Sequence, residues 1–141
     1  MRKFRTDPAS GRSIALGAPM NEQSHIPALK VLAVEDEALI LLSIETLLAE
    51  ASYAVSTASS AREALALLDV QSFQAAVLDL GLIDGTTFAV ADALTTRKIP
   101  FVFCTASNVS IPLAYIDVPI VDKPFTDRQL LDAVGQVLLP R

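Results

Sequence analysis

From Lys30 onward, short apolar runs alternate with longer helix-favouring segments. Val31 to Val34 is a β-prone run that stops at three acids, Glu35-Asp36-Glu37. Ala38 to Glu50 is rich in Leu, Ile, Ala and Glu, holds neither Gly nor Pro, and reads as a helix. Tyr53 to Ala58 reads as a second strand. Ser60-Ala61-Arg62-Glu63 has the spacing of a capping box and opens a helix through Leu68. Ala75 to Leu78 is a third apolar strand that ends at Asp79. Gly81 and Asp84-Gly85 mark a turn. Thr86 to Arg97 carries Phe88, Val90 or Ala91, and Leu94 at helical spacing, and Arg97-Lys98 suits a helix C-terminus. Pro100 introduces a fourth strand, Phe101 to Thr105. Ile120-Val121 is a short fifth. Thr126-Asp127-Arg128-Gln129 is another capping box, leading into a last helix through about Leu138.

The apolar strands are continuous rather than alternating, so both of their faces need cover. That pattern belongs to a parallel sheet clothed by helices on both sides. Right-handed crossovers then leave few topologies. The expected fold is α/β: a doubly wound, five-stranded parallel sheet in the order 2-1-3-4-5, flavodoxin-like. Between the fourth and fifth strands, residues 106–119 contain Pro112 and the β-branched Val109 and Ile111. A short or frayed fourth helix is expected there, since brief helices are marginal by themselves. Residues 1–28 lack periodicity and hold Pro8, Pro19, Pro27, Gly11 and Gly17. They read as a flexible tail without a secretory core, ahead of a domain over 29–141. Either Met1 or Met20 suits a start.

Composition narrows the function. Of 141 residues 52% are hydrophobic, ample for a core. The longest apolar stretches, such as Ala38 to Leu42, fall far short of the roughly 18–20 residues a membrane span needs. The tail holds four basic and two acidic residues, and residues 29–141 hold seven basic and fourteen acidic. A body so acidic repels a polyphosphate chain, which excludes nucleic acid as a partner. The single cysteine, Cys104, excludes a disulfide within the chain and reads as a small core residue. His25 lies in the tail and receives no role.

In a doubly wound sheet, ligands bind beyond the carboxyl ends of the strands. Those ends carry Glu35-Asp36, Asp79, Thr105 and Lys123-Pro124. Strands one and three are central neighbours in the expected order, so three carboxylates crowd one crevice beside a hydroxyl and an ammonium. Crowded carboxylates call for a cation, and their oxygens suit a hard one such as Mg²⁺. A carboxylate oxygen can then attack phosphorus. Asp79 is the candidate acceptor because it stands alone on a central strand. Lys123 neutralises the transferring group and Thr105 donates a hydrogen bond to it.

At these residues the chain resembles the receiver domain of two-component response regulators (CheY-like). The matching strings are Val34-Glu35-Asp36-Glu37, Val77-Leu78-Asp79-Leu80, Phe103-Cys104-Thr105-Ala106 and Asp122-Lys123-Pro124-Phe125, within residues 29–139. The resemblance implies that a histidine kinase phosphorylates Asp79. It implies that Asp36, Asp79 and the Gly81 backbone carbonyl hold Mg²⁺, for which Ca²⁺ or Mn²⁺ substitutes, with Glu35 assisting through water. It implies that Lys123 contacts the phosphoryl group, that Thr105 reports it, and that Lys123–Pro124 is cis. Pro100 to Ser107 is also similar to the P-F-x-F-A-T-G-Y strand of single-domain alphaproteobacterial regulators, departing at Cys104, Ala106 and Ser107. Val90 to Leu94 and Pro119-Ile120-Val121 look like the same group.

Most receivers carry an aromatic three places before the Lys, where this chain has Ile120. Tyr115, the one aromatic between Thr105 and Lys123, reads as a partly buried loop residue. The expected protein is a cytoplasmic single-domain regulator, no enzyme of small molecules. It passes its signal by contact with a downstream or phosphotransfer protein, or serves as a phosphate sink. The alternative is a degenerate receiver that only docks. A haloacid-dehalogenase-type phosphatase is disfavoured, because its nucleophile would fall at Leu82, two places before Asp84-Gly85-Thr86. A flavodoxin-like FMN binder is disfavoured because Glu35-Asp36-Glu37 repels phosphate without a metal. Phosphorylation is expected to order residues 106–119 through Thr105. Amide exchange over 106–117, with and without a phosphoryl mimic, should show added protection, and unchanged protection counts against it.

Overall fold

The computed structural model describes residues 27–82, 87–106 and 110–139. Nearly all of the expected tail, the Asp84-Gly85 turn, Ser107 and Val109 lie outside the described residues. The element order is β1 (Lys30–Val34), α1 (Ala38–Glu50), β2 (Ala54–Ala58), α2 (Ala61–Val70), β3 (Ala75–Asp79), α3 (Thr87–Thr96), β4 (Phe101–Thr105), a 3₁₀ turn (Leu113–Tyr115), β5 (Ile120–Asp122) and α4 (Asp127–Leu138). All pairings are parallel and the order is β2-β1-β3-β4-β5, as expected from the continuous apolar runs.

The sheet separates two cores. Leu32 and Val34 of β1, Ala76 and Leu78 of β3, and Phe101 and Phe103 of β4 pack against α2 and α3. The intervening residues Val31, Ala33, Val77, Val102 and Cys104 face the other way, against α1 and α4. Every residue of β3 and β4 is buried, which is why these strands contain no polar alternation. Cys104 is buried with them, and burial pushes its thiol up to about 12. It is a packing residue, as expected.

Capping chemistry sets where α2 and α4 begin. Thr126 and Gln129 form the full reciprocal box at the start of α4, worth about 1 kcal/mol. At α2 only half of the expected box forms. Ser60 Oγ accepts from the Glu63 amide at 3.1 Å. The Glu63 carboxylate reaches past Ser60 to the amide of Ser59, at 2.7 Å, and to its hydroxyl, at 2.9 Å.

The expected short fourth helix is a single 3₁₀ turn among the described residues. Pro112 supplies its N-cap, and Tyr115, rather than a partly buried loop residue, is the buried anchor of the segment. Its ring stacks on Phe88 of α3, with centroids 5.7 Å apart and planes 10° from parallel. Phe101 and Phe103 of β4 meet the same ring edge to face. A helix is unnecessary for holding this stretch down, because one aromatic side chain docks it.

Candidate functional site

Strand register brings the chemistry together. Val34 pairs with Leu78, so Glu35 and Asp79 emerge side by side from neighbouring strands. Thr105 pairs with Asp122, so Lys123 emerges beside it. Adjacent strands lie about 4.8 Å apart, close enough for charged side chains from three of them to meet. Glu35, Asp36 and Asp79 each offer a carboxylate oxygen, all within 4.8 Å of one another.

Lys123 is the counter-ion. Its Nζ donates to Glu35 Oε1 at 2.6 Å and lies 3.4 Å from Asp79 Oδ1. Glu35 is 1% exposed and Asp79 4%, whereas Asp36 is only partly buried. The deepest carboxylate is therefore Glu35. Its other oxygen accepts the Glu37 amide at 3.1 Å, at the start of α1. Burial raises the Glu35 carboxyl above its ordinary value, and the nearby Asp79 charge adds to that. The Lys123 hydrogen bond and the Glu37 amide pull it back in part. Burial works to lower the Lys123 ammonium, but its hydrogen bond to Glu35 and the two negative charges win and raise it. The pocket thus holds Lys123 firmly protonated.

Asp79 is oriented by its own loop. The Gly81 amide bends back to Asp79 Oδ1 at 3.0 Å. A Cβ at Gly81 would stand 3.7 Å from that oxygen, ordinary contact, so within the protein alone glycine is not sterically demanded. Thr105 is buried, and its carbonyl accepts the Lys123 amide at 2.7 Å, tying β4 to the turn that carries the ammonium. The Lys123–Pro124 bond is cis. Sequence reasoning overlooked Thr87. Its buried hydroxyl lies 3.3 Å from the Asp79 carbonyl and 3.4 Å from the Leu80 carbonyl. A threonine opening a helix was visible in the sequence, but not which backbone it would grip.

These features match one protein family. Residues 31–135 match the response regulator receiver domain. The chain belongs to that family. As a receiver it is a component of two-component signalling, and its acidic cluster stands where such domains bind Mg²⁺. Solved structures agree. SdrG from Sphingomonas melonis Fr1 is 34% identical with a TM-score of 0.70, over 79% of this chain and 98% of SdrG. A receiver protein from Sinorhizobium medicae WSM419 is 28% identical with a TM-score of 0.70, over 79% of this chain and 94% of that one. The chemotaxis protein CheY4 of Vibrio cholerae is 28% identical with a TM-score of 0.71, over 79% of this receiver and all of CheY4. No curated protein matches the chain. Among the described residues, no helix is long and apolar enough to cross a membrane.

The Glu35–Lys123 pair has a measurable consequence. Lys123→Ala leaves Glu35 buried without its partner and should cost about 3 kcal/mol of stability in metal-free buffer at neutral pH. Adding Glu35→Gln should recover much of that loss. Because Glu35 binds its proton more tightly folded than unfolded, its ionised form opposes folding, and that opposition fades as pH falls through the raised value toward the ordinary carboxylate range. The Lys123→Ala deficit should therefore shrink on acidification. Urea unfolding of the two variants at two pH values checks both, and a pH-independent deficit contradicts them.

Proposed function

We propose that this receiver accepts a phosphoryl group onto Asp79 from the phosphohistidine of a histidine kinase, in a Mg²⁺-dependent step. The observation that carries the reading is the meeting of the Glu35, Asp36 and Asp79 carboxylates with the Lys123 ammonium. The donor set fits a hard divalent cation. Asp36 and Asp79 would hold Mg²⁺ with the Gly81 carbonyl, and Glu35 would assist through water. The bound ion supplies positive charge against the phosphoryl oxygens.

The chain's own residues do the rest. A carboxylate oxygen of Asp79 forms the new bond to phosphorus while the phosphorus–nitrogen bond of phosphohistidine breaks, and the imidazole nitrogen keeps the electron pair. Lys123 Nζ, already 3.4 Å from Asp79, moves its hydrogen bonding from Glu35 toward the incoming phosphoryl oxygens. Thr105 donates its hydroxyl to the group and so senses it. Each chain carries one phosphoryl group and turns over no small molecule, so it is a switch rather than an enzyme. A groove lined by Glu37, Leu39, Ile40, Ser43, Ala106, Pro124 and Phe125 opens beside Lys123. In the cytoplasm the receiver then switches contacts with a downstream or phosphotransfer protein, or drains phosphoryl groups from the kinase.

Incubation with acetyl phosphate and Mg²⁺, read by intact mass, tests this directly. Wild type should gain one phosphoryl group, and both Asp79→Asn and removal of Mg²⁺ should abolish the gain. A wild type that gains none overturns the reading and leaves a receiver that only docks.

A further inference from the structure

The end of β3 is shaped by a residue outside the acidic cluster. The last ladder bond of the strand runs from the Leu80 amide to the Cys104 carbonyl, at 2.9 Å. The next amide, Gly81, leaves the sheet and folds back onto Asp79 Oδ1. The Asp79 and Leu80 carbonyls both face the Thr87 hydroxyl, at 3.3 and 3.4 Å. A hydroxyl has one proton, so the two carbonyls share it. Thr87 is 4% exposed, so bulk water does not compete for the bond. Its neighbour Phe88 is stacked on Tyr115. The first turn of α3 is thereby fixed, and with it the hydroxyl.

We propose that Thr87 is a positioning residue for the phosphoacceptor. By pinning two successive carbonyls, it sets the direction in which Asp79 presents its carboxylate and in which the chain enters Gly81. The proposal rests on the reading of Asp79 as phosphoacceptor. It adds a polar support from α3, separate from the contacts that Lys123 makes. Small displacements at such a centre are costly, because the attacking oxygen must be in line and the cation's oxygens must converge.

Thr87→Val keeps the shape and removes the donor. Thr87→Ala removes the same donor with less bulk and carries the comparison where Val is not accommodated. Thr87→Ser keeps the hydroxyl. The hydroxyl-free variants should lose about tenfold in both the rate of phosphorylation by acetyl phosphate and the affinity for Mg²⁺ by calorimetry, while Thr87→Ser stays within about twofold of wild type. Hydroxyl-free variants that phosphorylate and bind Mg²⁺ as wild type does overturn the proposal. So does a Thr87→Ser as impaired as Thr87→Val, which would make the residue a packing element only. The wild-type arm separates the two levels: if it gains no phosphoryl group, the Asp79 reading fails and the proposal falls with it.

Discussion

Glu35 and Asp79 are two carboxylates almost wholly withdrawn from water, and the ammonium of Lys123 lies against both. Buried carboxylates this close repel each other and lose hydration, so they persist as anions only beside positive charge. Everything else in the molecule serves to keep those three groups together. The parallel register of β1, β3, β4 and β5 delivers them to one end of the sheet. The buried apolar residues of β1, β3 and β4 pack behind them.

The balance is deliberately incomplete. Three acids face one ammonium, and Asp36 sits nearer to solvent than the other two. That surplus of negative charge suits a hard divalent cation, as the proposed phosphorylation of Asp79 requires. Lys123 is bound more closely to Glu35, at 2.6 Å, than to Asp79, at 3.4 Å. Glu35 therefore holds the ammonium beside Asp79.

Much of this was legible in the sequence, for physical reasons. Unbroken apolar runs such as Ala75 to Leu78 imply two covered faces, and two covered faces imply a parallel sheet whose chemistry gathers at the strand ends. The positions of Asp79, Thr105 and Lys123 follow from that alone. Less legible was depth. Glu35 and Asp36 are adjacent and chemically alike, and only the strand's direction at Val34 decides which one turns inward. Tyr115 looked like a loop residue because its three aromatic partners, Phe88, Phe101 and Phe103, are distant in sequence. Thr87 carried no signal in the sequence because its acceptors are backbone atoms, which leave no trace in composition. The Ser60–Glu63 box formed by half, because Glu63 found a better pair of donors on Ser59.

Tyr115 also bears on how a signal would leave. Ile120 stands where most receivers have an aromatic, and it is exposed. An aromatic contact forms instead in the segment following β4, where Tyr115 bridges β4 and α3. The most direct examination of the charge arrangement is an amide NMR titration of the unphosphorylated protein with Mg²⁺. Signals of residues 35–37, 79–81 and 123 should move together and saturate, with the exposed acids of α4 unaffected. Signals that stay still around Asp79, or that drift equally over every surface acid, would contradict the existence of a built cation site.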